Sequence, residues 1–275
     1  MNIKKILFIF FTLLFLCSCG ENKNDEKTDT ISTIEETKSQ DEVEIDDYVS
    51  DEEFDEAILF PKNAKEIEDF LPKNWQILYE VEGDLNNDNL NDIALIIENT
   101  DSGNIKKNDS FGPEELNLNP RILLVLFKQK DGIYILASKN DKGFIQSEND
   151  EENPTLMDTL TGISIKNNTL RINFDYFLSA GSYSASQTVF TFRFQNNRFE
   201  LIGLDNNSFM RNSSEQEEFS INFSTNKMKT TSGRNIFDEK LSKPKETWEN
   251  INIKKKYILD EMSSDTLDEI LDYVY

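Results

Sequence analysis

Oxygen-bearing side chains recur at alternate positions in Gly83-Asp84-Leu85-Asn86-Asn87-Asp88-Asn89-Leu90-Asn91-Asp92: Asp84, Asn86 and Asp88, then Asp92. A tight loop with this spacing can turn alternate residues to one centre, where a hard cation such as Ca²⁺ takes six to eight oxygens at about 2.3–2.6 Å. The donors would be the side chains of Asp84, Asn86 and Asp88, the backbone carbonyl of Leu90 and the carboxylate of Asp92, with water completing the shell. The competing reading needs no ion, because Asn and Asp also close turns by accepting their own backbone N–H groups.

Two strands must position this loop. Trp75 to Glu82 alternates apolar and polar through Ile77, Tyr79 and Val81, and Ile93-Ala94-Leu95-Ile96-Ile97 is a continuous apolar run that reads as a buried central strand. An EF-hand would need a bidentate acid at the twelfth loop position, which is Leu95, and a helix on each side. The stretch instead resembles the hairpin loops of integrin-type FG-GAP repeats, which close with an Asp at the ninth position, as Asp92 does, and lead straight into a strand. That resemblance implies a Ca²⁺ site. Asn89 stands at the sixth position, where those loops commonly have Gly, and Asn is the least costly substitute at positive φ. The expected affinity is weak, about 10⁻⁴–10⁻³ M.

The rest of the chain offers little other chemistry. There is no His, which removes the usual neutral-pH base and the His-containing metal sites. A hydrolase working on extracellular polysaccharide would have to use two carboxylates flanking the sugar, and Asp175 with Glu200 is the pair to test. Alternation places Arg171, Asn173 and Asp175 on one strand face, with Thr191 and Arg193 facing them from the next strand. The bland reading of that face is a solvated sheet with cross-strand ion pairs. Ser179 to Ser186 reads as a hairpin connection more than a ligand-contacting loop, and Trp75 and Trp248 each lie in an apolar pattern that suggests core.

The first residues carry an address. Lys4 and Lys5 precede an apolar run from Ile6 to Leu16, too short to span a bilayer. The ending Leu16-Cys17-Ser18-Cys19 resembles a lipobox, which implies a signal peptide over 1–18, cleavage before Cys19 and lipidation of Cys19, each buried CH₂ of the acyl chains contributing about 0.8 kcal/mol to anchoring. Gly20 to Glu56 holds sixteen acidic residues and three lysines, so 19–56 is expected to be a disordered, self-repelling tether. Its start, Gly20-Glu21-Asn22-Lys23-Asn24-Asp25-Glu26, is similar to the acidic export signal of surface-displayed Bacteroidota lipoproteins; a plain spacer on a periplasm-facing lipoprotein fits equally. The net charge of −23 makes nucleic acid and anionic lipid poor partners and cations good ones.

Stretches including Phe70-Leu71-Pro72-Lys73-Asn74-Trp75, Phe192-Arg193-Phe194-Gln195-Asn196, Ser220-Ile221-Asn222-Phe223 and Lys245-Glu246-Thr247-Trp248 are similar to a group of uncharacterised Bacteroidota lipoproteins. That likeness implies a lipoprotein of the outer membrane and carries no activity with it. The expected function is a non-catalytic envelope component, anchored through Cys19, that binds a protein or glycan ligand. The alternative is the carboxylate-dependent hydrolase.

Residues 57–275 read as one mainly β domain, an antiparallel, hairpin-rich sheet or sandwich with a short N-terminal helix and a C-terminal helix. Asn63-Ala64-Lys65-Glu66 resembles a capping box, followed by Ile67, Phe70 and Leu71 at helical spacing and then Pro72. Paired strands flank Lys130-Asp131-Gly132, Asn167-Asn168, Asn196-Asn197 and Asn226. Polar loops are expected over 100–120, 143–154 and 206–216. Leu267, Ile270, Leu271 and Val274 share one face of a helix that Ser264 or Asp265 could cap.

Overall fold

The computed structural model describes residues 58–238, 240 and 242–273; the signal segment, Cys19 and the acidic tether lie outside them. In chain order these residues form β1 (Asn63–Ala64), β2 (Trp75–Gly83), β3 (Asp92–Asn99), β4 (Ile105–Lys107), β5 (Glu115–Asn117), β6 (Arg121–Lys128) and β7 (Tyr134–Asn140). Then follow β8 (Leu160–Lys166), β9 (Thr169–Phe177), β10 (Ser184–Gln195), β11 (Arg198–Met210), β12 (Glu215–Asn222), β13 (Lys227–Asn235), β14 (Lys245–Asn250) and α1 (Thr266–Asp272). The fold is mainly β and antiparallel, without a closed barrel.

One sheet has five strands in the order β1-β7-β6-β3-β2; the other has seven, from β14 to β8 in unbroken sequence order. A seven-strand meander follows from the turns. Asn167 and Asn168 have φ of 52° and 56°, and Asn196 and Asn197 have 54° and 59°. Two successive left-handed residues give the tight hairpin turn whose twist matches its strands, and Asn tolerates that region best after Gly.

The two sheets share a core. Ala94, Ile96, Leu123 and Val125 from the first meet Leu170, Ile172, Phe190 and Phe192 from the second. The opposite face of β3 and β6, with Ile93, Leu95, Ile97 and Leu124, is covered by the N-terminal segment through Ile58, Phe60, Ile67 and Phe70. These two strands are thus buried on both faces, which is why their sequences are continuously apolar rather than alternating.

Several expectations are corrected. The N-terminal helix is a single 3-10 turn, Ile67–Phe70, and its capping box joins Glu66 to Asp69 rather than starting at Asn63. Asn63 and Ala64 are instead drawn into β1, paired with Ile135 and Tyr134, and Pro72 leaves no room for a second turn. The loop expected over 206–216 is mostly strand: Asn206, Asn207 and Ser208 pair with Phe219, Glu218 and Glu217. Their side chains alternate between the two faces and are paired on both: Asn206 Nδ2 donates to the buried Thr188 Oγ1 at 2.8 Å and Gln216 Nε2 to Asn207 Oδ1 at 2.7 Å, so turn-like composition here marks hydrogen-bonded strand. The 100–120 stretch contains the small β4–β5 hairpin and buries Leu116 and Asn119. Trp248 lies on the edge strand β14 and is 65% exposed, because it stands in the polar row of Lys229 and Ser220 rather than in the core; Trp75 packs against the first sheet. In α1, Ile270 is buried and Asp265 stands at the N-cap without a capping bond to the helix, its Oδ1 accepting from Ser264 Oγ at 3.2 Å; Ser263 N–H donates to Thr266 Oγ1 at 2.9 Å. Val274 lies outside the described residues.

Candidate metal loop and binding cleft

The loop of Asp84 to Asp92 joins β2 to β3, with Gly83 and Asp92 as the last pair of the ladder. Asp84 acts as its hub. Its Oδ1 accepts from the N–H of Asn87 at 2.7 Å and of Asp88 at 3.2 Å, and its Oδ2 from Asn89 at 3.0 Å. Asn86 Oδ1 accepts from Asp88 N–H at 3.0 Å, and Asp88 Oδ1 from Leu90 N–H at 2.8 Å. Asn87 and Asn89 sit at φ of 65° and 66°, so the sixth position is left-handed, as the Gly-bearing loops require.

Asp92 is wholly buried. Its Oδ2 accepts from Leu85 N–H at 2.8 Å and its Oδ1 from Lys128 N–H at 3.1 Å, which ties the loop to β6. Burial pushes its carboxyl up to about 6; the two N–H bonds oppose that shift, and the charges of Asp88 and Asp84 add to it. Leu85 is buried in the shared core, and Asn168 Nδ2 donates to the Asp84 carbonyl at 2.8 Å from the β8–β9 turn. A Cβ on Gly83 would stand 2.6 Å from Ile165 Cγ2, so only Gly lets the hairpin lie this close to β8.

The five predicted metal ligands are therefore in one loop, but among the described residues no group of three or more acidic or thiol side chains gathers as a metal site. Hydrogen bonds close the loop. Its donor chemistry still fits a hard cation, since Asp84 Oδ2 and both oxygens of Asp88 and of Asp92 each accept a single hydrogen bond and keep a further lone pair.

Asp175 and Glu200 do not form a pair. Asp175 stands opposite Gln187 and Glu200 opposite Arg193, six residues apart along β10, or about 20 Å. Glu200 is buried and holds the β10–β11 turn, accepting from Gln195 at 2.7 Å, Asn196 at 3.1 Å and Arg198 at 3.0 Å. The 178–183 connection is pinned by Arg211, whose guanidinium lies 4.4 Å over the Phe177 ring and donates to the Leu178 carbonyl at 3.1 Å.

A cleft of about 640 Å³ opens beside the first sheet. Trp75, Arg121 and Ile122 at the strand ends form one side, and the long β7–β8 connection, with Ile145, Ser147 and Met157, forms the other. That connection is anchored at both ends. Phe144 is buried with its ring 5.1 Å from Phe190, edge to face. At the far end Arg121 Nη1 and Nη2 clasp Asp158 at 2.7 and 2.9 Å, while Nε donates to Glu98 at 2.7 Å. The Arg121 and Glu98 side chains are only 2% and 7% exposed. Burial alone would lower the Arg121 guanidinium, but the bonds and charges of Asp158 and Glu98 outweigh it and raise it.

Sequence reasoning missed this triad. A signal was present: Glu98 directly follows one continuous apolar run, Arg121 directly precedes the other, and the two are register partners. Opposite charges bounding two fully buried strands mark an ion pair at the end of a sheet.

Compared with protein-family models, curated proteins and solved structures, the chain matches none.

Proposed function

We propose that the chain is a lipid-anchored lipoprotein of the bacterial outer membrane, attached through Cys19, whose β-rich domain is a non-catalytic binding component for a protein or glycan ligand. The cleft carries the binding reading. Its volume of about 640 Å³ falls in the range of ligand sites, and it combines an apolar wall with a polar rim. Its walls are strand ends and a connection pinned at Phe144 and Asp158, so it is preorganised rather than formed by a free loop.

The proposal includes a structural Ca²⁺ held by Asp84, Asn86, Asp88, the Leu90 carbonyl and Asp92. Bound there, the ion would offset the loop's three carboxylates and fasten the β2–β3 hairpin; it supports the fold and takes no part in ligand chemistry.

A glycan and peptide array probed with the full-length protein and with Met157→Trp tests the binding reading. Met157 is 54% exposed on the cleft wall, so the larger side chain fills the cleft without disturbing the core. Ligands retained by the native protein and lost by the filled variant support the reading. Identical retention by both, or none by either, contradicts it.

A further inference from the structure

Four carboxylates, Asp141, Glu148, Asp150 and Glu151, stand against one guanidinium, Arg121, in the cleft lining. The sign of the site turns on whether that guanidinium is free. It is engaged by two carboxylates, Glu98 through Nε and Asp158 through Nη1 and Nη2, while Nη1 also reaches the Gln146 carbonyl at 3.4 Å. An anion entering the cleft would meet a cation already outnumbered by its partners.

The rim is neutralised only in part. Lys106 pairs with Glu151 and Lys139 with Asp141. Among the described residues no lysine or arginine pairs with Glu148 or Asp150. Glu148 accepts from the Asn117 side-chain amide at 3.0 Å and Asp150 from the Glu152 N–H at 2.8 Å. These bonds fix the carboxylates in place and leave their charge uncompensated. Trp75 and Ile122 line the opposite side, and Ile58 and Met157 add further apolar surface to the lining. The indole attracts cations as well as apolar groups, and the unbranched Met adapts to what it meets.

We infer that the cleft receives an organic cation, an ammonium or guanidinium group on an apolar body, with Glu148 and Asp150 facing the charge and Trp75 and Met157 the body. The inference rests on the reading of the cleft as the binding site and adds the class of its ligand. The chain's excess of acidic residues draws such a ligand from a distance, so its capture weakens with salt.

Three probes with one apolar body test the class: phenethylammonium, 2-phenylethanol and phenylacetate. The chain has two tryptophans, so full-length Trp248→Phe protein reports through Trp75 alone, at the cleft wall. The expected result is a saturable change in Trp75 fluorescence with phenethylammonium, a response at least tenfold weaker with the alcohol, and none with phenylacetate. Adding Glu148→Gln and Asp150→Asn, which keep the acceptors and remove the charge, weakens phenethylammonium binding about tenfold with an unchanged melting temperature. Equal binding of the alcohol or phenylacetate, or an unaltered affinity in the double variant, overturns the cationic class and leaves the cleft a binding site. No saturable response to any of the three overturns the inference and the binding reading together.

Discussion

The carboxylate of Asp92 accepts the backbone N–H of Leu85, seven residues before it, at 2.8 Å, so the first residue of β3 holds the loop that leads into it. Its other oxygen takes the N–H of Lys128 at the end of β6. One buried side chain thereby fixes a loop, a hairpin and the neighbouring strand.

Removing that side chain leaves two backbone donors without a partner in a buried setting. Asp92→Ala is expected to destabilise the domain by about 2–4 kcal/mol in urea unfolding. Asp131→Ala removes one exposed turn bond, from Ile133 N–H at 3.1 Å, and is expected to cost under about 1 kcal/mol. Equal losses in the two variants would deny Asp92 its special place.

Calcium should raise the melting temperature. At ten times the dissociation constant, about 10 mM for an expected constant near 1 mM, the ion stabilises by about 1.4 kcal/mol, or about 3–6 °C for a domain of this size. Chelator should reverse the gain, and Asp84→Ala and Asp88→Ala should each lose it. A midpoint that ignores calcium would show that hydrogen bonds alone close the loop.

The triad at the cleft floor predicts a non-additive pair of substitutions. Arg121→Met strands Glu98 in a buried site and is expected to cost about 3–5 kcal/mol. Adding Glu98→Gln removes the stranded charge and should recover part of that loss, so the double variant is more stable than Arg121→Met alone. Thermal or urea unfolding of Arg121→Met, Glu98→Gln and the double variant measures the coupling; a double-variant cost equal to the sum of the two single costs would contradict it.

Glu200 predicts an acid-side loss of stability. Burial alone would raise its carboxyl, but the hydrogen bonds of Gln195, Asn196 and Arg198 and the charge of Arg198 prevail and hold it below the usual range. Its stabilising contribution is therefore present above the unfolded value, about 4.3, and lost as pH falls through the lower folded value. Urea midpoints between pH 6 and pH 3 should fall less steeply in Glu200→Gln than in the native protein. Parallel curves would remove Glu200 from the account.

The fold was legible where local chemistry and tertiary packing agreed. Doublets such as Asn167-Asn168 and Asn196-Asn197 mark turns because few other residues accept two successive left-handed conformations, and they delimit the strands of the large sheet. Ile93 to Ile97 reads as a doubly covered strand because it is one. Where the two disagreed, packing prevailed: Asn63 and Ala64 have the chemistry of a helix start but become a strand beside Tyr134 and Ile135. The polar run Asn206 to Ser208 has the chemistry of a loop but pairs as strand with Glu217 to Phe219. The loop of Asp84 to Asp92 was visible because its residues are contiguous. The cleft was not, because Trp75, Arg121 and Met157 come from separate elements that only the fold brings together.

The central claim, that the cleft is where this domain meets its ligand, is tested most directly by amide chemical shifts recorded while the native protein is titrated with a ligand captured on the array. The account predicts shifts concentrated at the strand ends around Trp75 and Arg121 and along the β7–β8 connection around Ser147. Shifts confined to the outer face of the large sheet, where Asp205, Ser220, Lys229 and Trp248 stand in register, would contradict it.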